Sequence, residues 1–267
     1  MSGDELDKLS EEELAKRVDH VGGRTLNTHE HKVRIVNAFR ATGKIVSMTG
    51  DGVNDAPSLK AADIGVAMGI TGTDVAKGAA DMILTDDNFA TIEKAIEEGR
   101  GIYANIKKSV LFLLSSNFGE IITMFVSILA GLAAPLQAIH ILWVNLITDT
   151  LPGLALGVDT NNQKHVMSVP PRDPKESLFA HGGLALTIFY GAVVGAITIG
   201  GFVAAPIIKL SSEGSNITLT AIKTALETPE VLQVAQTYAF TILGVSQLFH
   251  AIGMRNVDIS IFKNLRN

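Results

Sequence analysis

The alternation of apolar and polar positions changes character near residue 108. Before it, apolar residues come singly at helical spacing or in runs of three to five. Leu6, Leu9, Leu14 and Val18 punctuate the charged stretch 4–17 and predict an amphipathic surface helix, which Gly22-Gly23 breaks. Val33, Ile35, Val36 and Phe39 predict a second helix over His31–Arg40, closed by Gly43. Ile45-Val46-Ser47-Met48, Ile64–Met68 and Met82-Ile83-Leu84 read as short buried strands, with a helix over Asp74–Ala80 between the last two. Strands alternating with helices predict an α/β unit with a parallel sheet. After residue 108 the runs lengthen to 109–132, 139–158, 182–208 and 234–254. Each qualifies by length for a membrane-crossing helix, which needs ~20 apolar residues. The expected architecture is an α/β part over 1–108, followed over 109–267 by an all-α transmembrane bundle of four spans.

Composition supports that division. Charged residues make up 18% of the chain, below the ~25% of soluble domains, and most of them precede residue 109. The net charge of −5 argues against a nucleic-acid partner. The absence of cysteine removes thiolate metal sites and cysteine nucleophiles. The acidic start, Met1 to Leu6, has no apolar core and is no secretory signal. Arg100, Lys107 and Lys108 precede the first long run. Lys164, Arg172 and Lys175 lie between the second and third, and Arg255, Lys263 and Arg266 follow the fourth. The positive-inside rule then predicts a multi-pass membrane protein with both termini in the cytoplasm and the lipid bilayer as its first partner. In a bacterium that bilayer is the plasma membrane.

Two groups of residues carry candidate chemistry. In Thr49-Gly50-Asp51-Gly52-Val53-Asn54-Asp55-Ala56-Pro57, two carboxylates stand four positions apart just after a predicted strand. Mg²⁺ favours one or two carboxylates with waters and phosphate oxygens, and Gly50 and Gly52 let the backbone approach a phosphate. Lys32 offers a point charge for a phosphoryl oxygen. The competing explanation is an ordinary Asp-Gly turn. In the apolar half, Asn117 and Glu120 share one helical face, and Asn145, Thr148 and Asp149 share another. Pro152 and Gly153 loosen the second helix beyond them. Buried carboxylates are costly in a bilayer unless paired or metal-bound, so two such faces suit a cation with oxygen ligands such as Ca²⁺. The competing explanation is polar glue between helices. Trp143 and His140 read as interface anchors, His29 and His31 as solvent-exposed histidines, and Asn216-Ile217-Thr218 as a chance sequon.

Thr49 to Pro57, with Leu59-Lys60-Ala61-Ala62-Asp63-Ile64-Gly65-Val66-Ala67-Met68-Gly69, resembles the hinge motif of P-type ATPases. Gly72-Thr73-Asp74-Val75-Ala76-Lys77 and Asp86-Asp87-Asn88-Phe89 continue the likeness. The resemblance implies a partial haloacid-dehalogenase-like phosphorylation domain over 1–108. In it Asp51 is the Mg²⁺ ligand and Asn54 and Asp55 support phosphate and metal. Thr49, Gly50 and Gly52 form the binding loop, and Lys32 contacts the phosphoryl group. Arg24-Thr25-Leu26-Asn27-Thr28-His29-Glu30-His31-Lys32 departs from the family's Arg-Val-Ser-Pro-Glu-x-Lys. Ser116–Glu120 and Trp143–Asp149 resemble the fifth and sixth helices of Ca²⁺-transporting pumps of the sarcoplasmic-reticulum and bacterial type, and Pro170-Pro171-Arg172-Asp173-Pro174-Lys175 resembles the loop after them. By this likeness Asn117, Glu120, Asn145, Thr148 and Asp149 hold Ca²⁺, and the helix beginning near Ile106 transmits the conformational change. Gln247 stands where the sarcoplasmic-reticulum type has a glutamate ligand, which weakens one of two sites. The family's Asp-Lys-Thr-Gly-Thr nucleophile string does not occur here, nor does its ATP-binding domain. The isolated chain is therefore expected to be catalytically incomplete, with the missing pump domains as potential partners on another chain. The alternatives are a non-enzymatic truncated membrane fragment and a P-type pump for H⁺ or Mn²⁺.

Overall fold

The computed structural model describes residues 3–18, 29–160, 167–170, 172, 173 and 175–255. The Gly22-Gly23 break, the Arg24–Thr28 departure, Lys164, Pro171, Pro174, Lys263 and Arg266 lie outside these residues. The chain folds as two compact units, Met1–Glu97 and Glu98–Asn267.

The first unit opens with three helices, α1 (Gly3–Leu6), α2 (Glu11–Arg17) and α3 (His29–Ala41). The pattern over 4–17 predicts one helix, but two form, because Ser10 starts a new one. Its hydroxyl accepts from the Glu13 amide while its own amide donates to the Glu13 carboxylate at 3.1 Å. That reciprocal pair satisfies two amides a helix start would otherwise leave free. Leu6, Leu14 and Val18 are buried with Ala38 of α3. Arg34 of α3 donates to the Leu6 and Leu9 carbonyls at 3.0 and 2.7 Å, tying the intervening turn down. Gly43 ends α3 with φ +82°, a conformation costly for any residue with a Cβ.

Three strands follow: β1 (Ser47–Gly50), β2 (Ile64–Met68) and β3 (Met82–Leu84). They form one parallel sheet in the order β1-β2-β3, with Ser47 opposite Ile64 and Val66 opposite Met82. Helices α4 (Ala56–Ala61) and α5 (Asp74–Ala79) occupy the crossovers that parallel strands require. β1 begins two residues later than its apolar run predicts. Asp63 supplies the reason: its carboxylate takes the Val46 amide at 2.9 Å, and the Asp63 and Ile64 amides donate to the Val46 carbonyl. Val46 is thus consumed in a turn, and regular pairing starts at Ser47. Leu59, Val66, Ala67 and Ala76 are fully buried around the sheet.

The second unit is helical. α6 (Ala90–Leu129) has 40 residues, about 60 Å of helix. It begins at Ala90, not near Ile106 or Ser109, because the polar turns 90–108 keep helical geometry without being apolar. Next come α7 (Ala138–Trp143), a π-helical stretch (Val144–Asp149), α8 (Thr150–Gly157), α9 (Gly183–Ser212), α10 (Leu219–Leu226) and α11 (Pro229–Met254). Among the described residues, three helical segments are long and apolar enough to cross a membrane: Ala90–Leu129, Ala138–Gly157 and Gly183–Ser212. The fourth predicted run folds as the 26-residue α11. Gln233, Gln236, Thr237, Ser246, Gln247 and His250 dilute its apolar character.

Small residues let these helices approach. A Cβ added at Gly191 would lie 2.7 Å from the Phe118 ring, and one at Gly195 would lie 2.8 Å from Ile122. Such contacts are the usual device for close helix packing in lipid. Val144, Val194, Phe202, Ala239 and Leu243 form the centre of the bundle's core. Thr218 of the sequon serves as the N-cap of α10, accepting from the Ala221 amide at 3.2 Å.

Candidate functional site

The first candidate site lies at the carboxyl end of β1. Gly50 closes the strand, Asp51 follows, and one 3₁₀ turn (Val53–Asp55) leads into α4. Asp55 is buried and fully engaged. Its Oδ1 accepts from Lys32 Nζ at 2.6 Å, and its Oδ2 accepts from the Asp51 and Gly52 amides, each at 3.2 Å. Burial alone would raise the Asp55 pKa, but the Lys32 ammonium and the two amides outweigh it and hold the carboxyl below the usual range. Lys32 arrives from α3, 23 residues earlier. A Cβ at Gly50 would lie 2.5 Å from Asp55 Cβ, so glycine is what lets the carboxylate fold back over the strand end.

Asp51 differs from Asp55. Its carboxylate is exposed and, among the described residues, makes no hydrogen bond or ion pair. Its carbonyl accepts from the Thr73 amide at 2.8 Å, which joins the loop after β2 to the loop after β1. Asn54 is exposed beside it, and Thr49 lies half-buried in β1 opposite Val66. A free carboxylate next to an oriented one, with a lysine at hand, is a donor set that suits a hard divalent cation and a phosphoryl group.

Motif spacing does not reveal how the neighbouring loop is held. Asp87, at φ +49°, turns its carboxylate onto three successive amides: Gly69 at 2.6 Å, Ile70 at 3.0 Å and Thr71 at 2.8 Å, with the Thr71 hydroxyl also at 2.8 Å. The Ile70 amide foremost, with those of Thr71 and Gly69 beside it, holds the Asp87 carboxyl down at about 2. The Asp86-Asp87-Asn88 string hints at a turn, but its target could not be read from sequence.

The second candidate site lies between α6, the π stretch and α11. Glu120 and Asp149 are buried at 6% and 2% exposure. Glu120 Oε1 accepts from Gln247 Nε2 at 3.1 Å, and Asn145 lies against the same carboxylate. Ser116 faces Asp149. Among the described residues, both Asp149 oxygens are buried without a hydrogen-bond partner, as are Ser116 Oγ and Gln247 Oε1. The Asn117 and Asn145 amides donate to the carbonyls four residues back, at 2.8 and 3.0 Å, which leaves their side-chain oxygens as acceptors. Asn145 is exposed while Thr148 and Asp149 are buried, because the π winding turns these positions differently from an α-helix. Thr150 Oγ1 donates to the Asn145 carbonyl at 2.9 Å. Pro152, which has no amide proton, follows within a turn. Asn117 makes its one hydrogen bond within α6 and none to the other candidates. Among the described residues no three His, Cys, Asp or Glu cluster as metal ligands. A cation here would rely on two carboxylates and neutral oxygens.

The histidines fall elsewhere. His31 is 5% exposed, not solvent-facing, because its Nε2 bonds the Asp7 carboxylate at 2.8 Å where α1 packs on α3. The His29 side chain lies outside the described set. His140 stacks on Phe240 with ring centres 4.8 Å apart, and Trp143 is exposed on the bundle surface. His250, unmarked by any motif, bonds Ser115 Oγ at 2.6 Å in the interior.

Residues 133–267 match the family described as "Cation transporting ATPase, C-terminus". The chain is 57% identical to calcium-transporting ATPase 1 of Bacillus cereus over 262 residues, covering 98% of this chain and 29% of that protein. It is 46% identical to the calcium-transporting ATPase of Bacillus subtilis over 262 residues, 98% of this chain and 27% of that protein. It is also 46% identical over 209 residues to "P-type sodium-transporting ATPase4" of Toxoplasma gondii, 76% of this chain and 16% of that protein. The chain thus spans less than a third of the length of these relatives.

Proposed function

This chain belongs to the cation-transporting ATPase C-terminal family, and from that premise we propose that it is part of an ATP-driven pump moving Ca²⁺ across a membrane through a phospho-aspartate intermediate. One observation carries the reading: both Asp149 oxygens are buried without partners beside buried Glu120, in helices apolar enough to span a bilayer. A bound divalent cation offsets that desolvation cost. Relatives named for calcium favour Ca²⁺ over H⁺ or Mn²⁺ as cargo.

Residues 1–108 are the carboxyl-terminal part of a cytoplasmic, haloacid-dehalogenase-like phosphorylation domain. Residues 109–267 form four spans with both termini cytoplasmic, α11 being the fourth. α11 crosses with its Gln247 face turned to Glu120 and away from lipid. Mg²⁺, held by Asp51 with Asp55 and Asn54 alongside, would neutralise phosphoryl oxygens. Lys32 orients Asp55 and brings a positive charge to the same loop end. Gly50 makes room for the Asp55 carboxylate over the strand end, and the Gly52 amide donates to it. ATP acts through a nucleotide domain for which this chain carries no sequence. At the membrane site Glu120 and Asp149 supply the charge, and Asn117, Asn145 and Thr148 supply neutral oxygens. Gln247 contributes an amide in place of a third acid.

Vesicles carrying the protein at its full natural length test the reading. Glu120→Gln and Asp149→Asn should each abolish ATP-driven uptake of radioactive Ca²⁺. Normal uptake in both variants refutes the site. The purified chain on its own should yield no acid-stable acyl-phosphate from labelled ATP, and robust labelling contradicts that assignment.

A further inference from the structure

The face of α6 that bears Glu120 and Ser116 continues towards its amino end as Ser109 and Asn105, at helical spacings of four and seven residues. Both bond to backbone carbonyls in and just past the neighbouring α8. Ser109 Oγ donates to the Gly153 carbonyl at 2.9 Å. Asn105 Nδ2 donates to the Gly157 and Asp159 carbonyls at 3.3 and 2.7 Å. Carbonyls at a helix end lack partners within their own helix, and buried Asn105 supplies one. Asp159, two residues past the end of α8, is clamped from two further directions. Its carboxylate meets Arg255 Nε of α11 at 2.9 Å and Lys108 Nζ of α6 at 3.9 Å.

Apolar packing between α6 and α8 comes from Leu111 and Phe112, which share a buried cluster with Leu156, and from Leu113. A Cβ at Gly153 would meet Leu113 only at ordinary contact, 3.5 Å, and one at Gly157 would meet Ser109 Oγ at 3.8 Å. Glycine-lined surfaces are smooth and lack the interdigitating ridges that lock axial position. Directional bonds to backbone carbonyls add an axial constraint that this apolar packing lacks. Gly157 lies eight residues from Asp149, about 12 Å along the chain's helical path. An axial shift at Gly157 is passed through α8 to Asp149, while Glu120 stays fixed on α6.

Resting on the cation-site reading above, we infer that Asn105, Ser109 and Asp159 form a register clasp. They are positioning residues that set the separation of the Glu120 and Asp149 oxygens, and so the cation affinity of a site they do not touch. Lys108 and Arg255 hold Asp159 in place from α6 and α11.

The test measures Ca²⁺ uptake against Ca²⁺ concentration in vesicles carrying the protein at full natural length. Asn105→Ala should raise the half-saturating Ca²⁺ concentration about tenfold with maximal uptake within about twofold of the parent, well short of the ~10²-fold cost of a full 1 Å misplacement. Arg255→Gln should move it the same way by about threefold. Exchanging the charges, with Asp159→Arg and Arg255→Asp together, should recover most of what Asp159→Arg alone loses. A purely structural role would lower thermal stability and leave half-saturation unmoved, and that result overturns the inference. Should Asn105→Ala fail to accumulate, Asn105→Ser and Arg255→Gln decide by the same measurement. Glu120→Gln separates the two levels. If it abolishes uptake while the clasp variants match the parent, the clasp alone is wrong. If it leaves uptake intact, the site reading fails and the clasp with it.

Discussion

Asp55 and Asp149 are both buried aspartates, and the structure treats them in opposite ways. Asp55 has a lysine and two amides on its carboxylate. Among the described residues, Asp149 has no hydrogen-bond partner on either oxygen. The first arrangement is self-contained: charge and donors are supplied by the chain, and the carboxylate is oriented before any ligand arrives. The second leaves desolvation uncompensated by the protein. In the sheet unit the chain positions a paired carboxylate beside a free one, Asp51. In the helical unit the described residues give Asp149 no such donor, which is what the proposed cation site requires.

The largest test of that contrast is at Asp149. Asp149→Asn should reduce Ca²⁺ transport by ~10²–10³-fold, as expected when a buried charge pair loses one member. The same change should leave thermal stability in chelator equal or raised, because it removes a buried charge that the protein does not pair. A fall in chelator stability would break the comparison. Asp55→Ala should do the reverse, costing about 2–3 kcal/mol in denaturant unfolding, because it strands Lys32 and two amides. Lys32→Met should cost less, about 1 kcal/mol, since its side chain is 32% exposed. An Asp55 variant as stable as the parent would place both aspartates in one class.

Packing sharpens the contrast next. Gly191→Ala drives a methyl against Phe118 and the Ser115 carbonyl. It should cost about 1–2 kcal/mol by overpacking and lower the melting temperature by a few degrees, whereas Gly200→Ala, with open space around it, should be neutral.

The smallest effect concerns pH. Asp87 is pulled from 3.8 to about 2 in the native state. The unfolded chain therefore binds more protons across that interval. The contribution is fully present above about pH 4 and is lost as the pH falls through about 2. Protection of the Gly69, Ile70 and Thr71 amides against hydrogen exchange, corrected for intrinsic rates, should decline over that window. In Asp87→Asn it should be low throughout. Constant protection in the parent would show that the carboxylate does not hold the loop.

Local pattern carried far in this chain. The helical and strand runs before residue 90 marked the elements of the parallel sheet, since short-range periodicity records which side of an element meets a core. Three of the four long apolar runs lie in helices long and apolar enough to cross a membrane, and the fourth folds as the more polar α11. Pattern failed where a single side chain redirects the backbone. Ser10 with Glu13 split the first helix, and Asp63 delayed β1. It failed again at His31, whose burial depends on Asp7, 24 positions away.

What the sequence alone determined is the inventory: which residues could carry charge into an apolar half, and which glycines could clear a loop end. Tertiary structure alone decided the pairings. Lys32 meets Asp55 across 23 residues, and Gln247 meets Glu120 across 127. Asn105 takes the carbonyl of Asp159. Such contacts depend on helix register and chain crossover, and neither leaves a periodic trace along the chain. Spacing speaks for one element at a time, whereas the partner of a buried charge is chosen by whichever distant element packs against it.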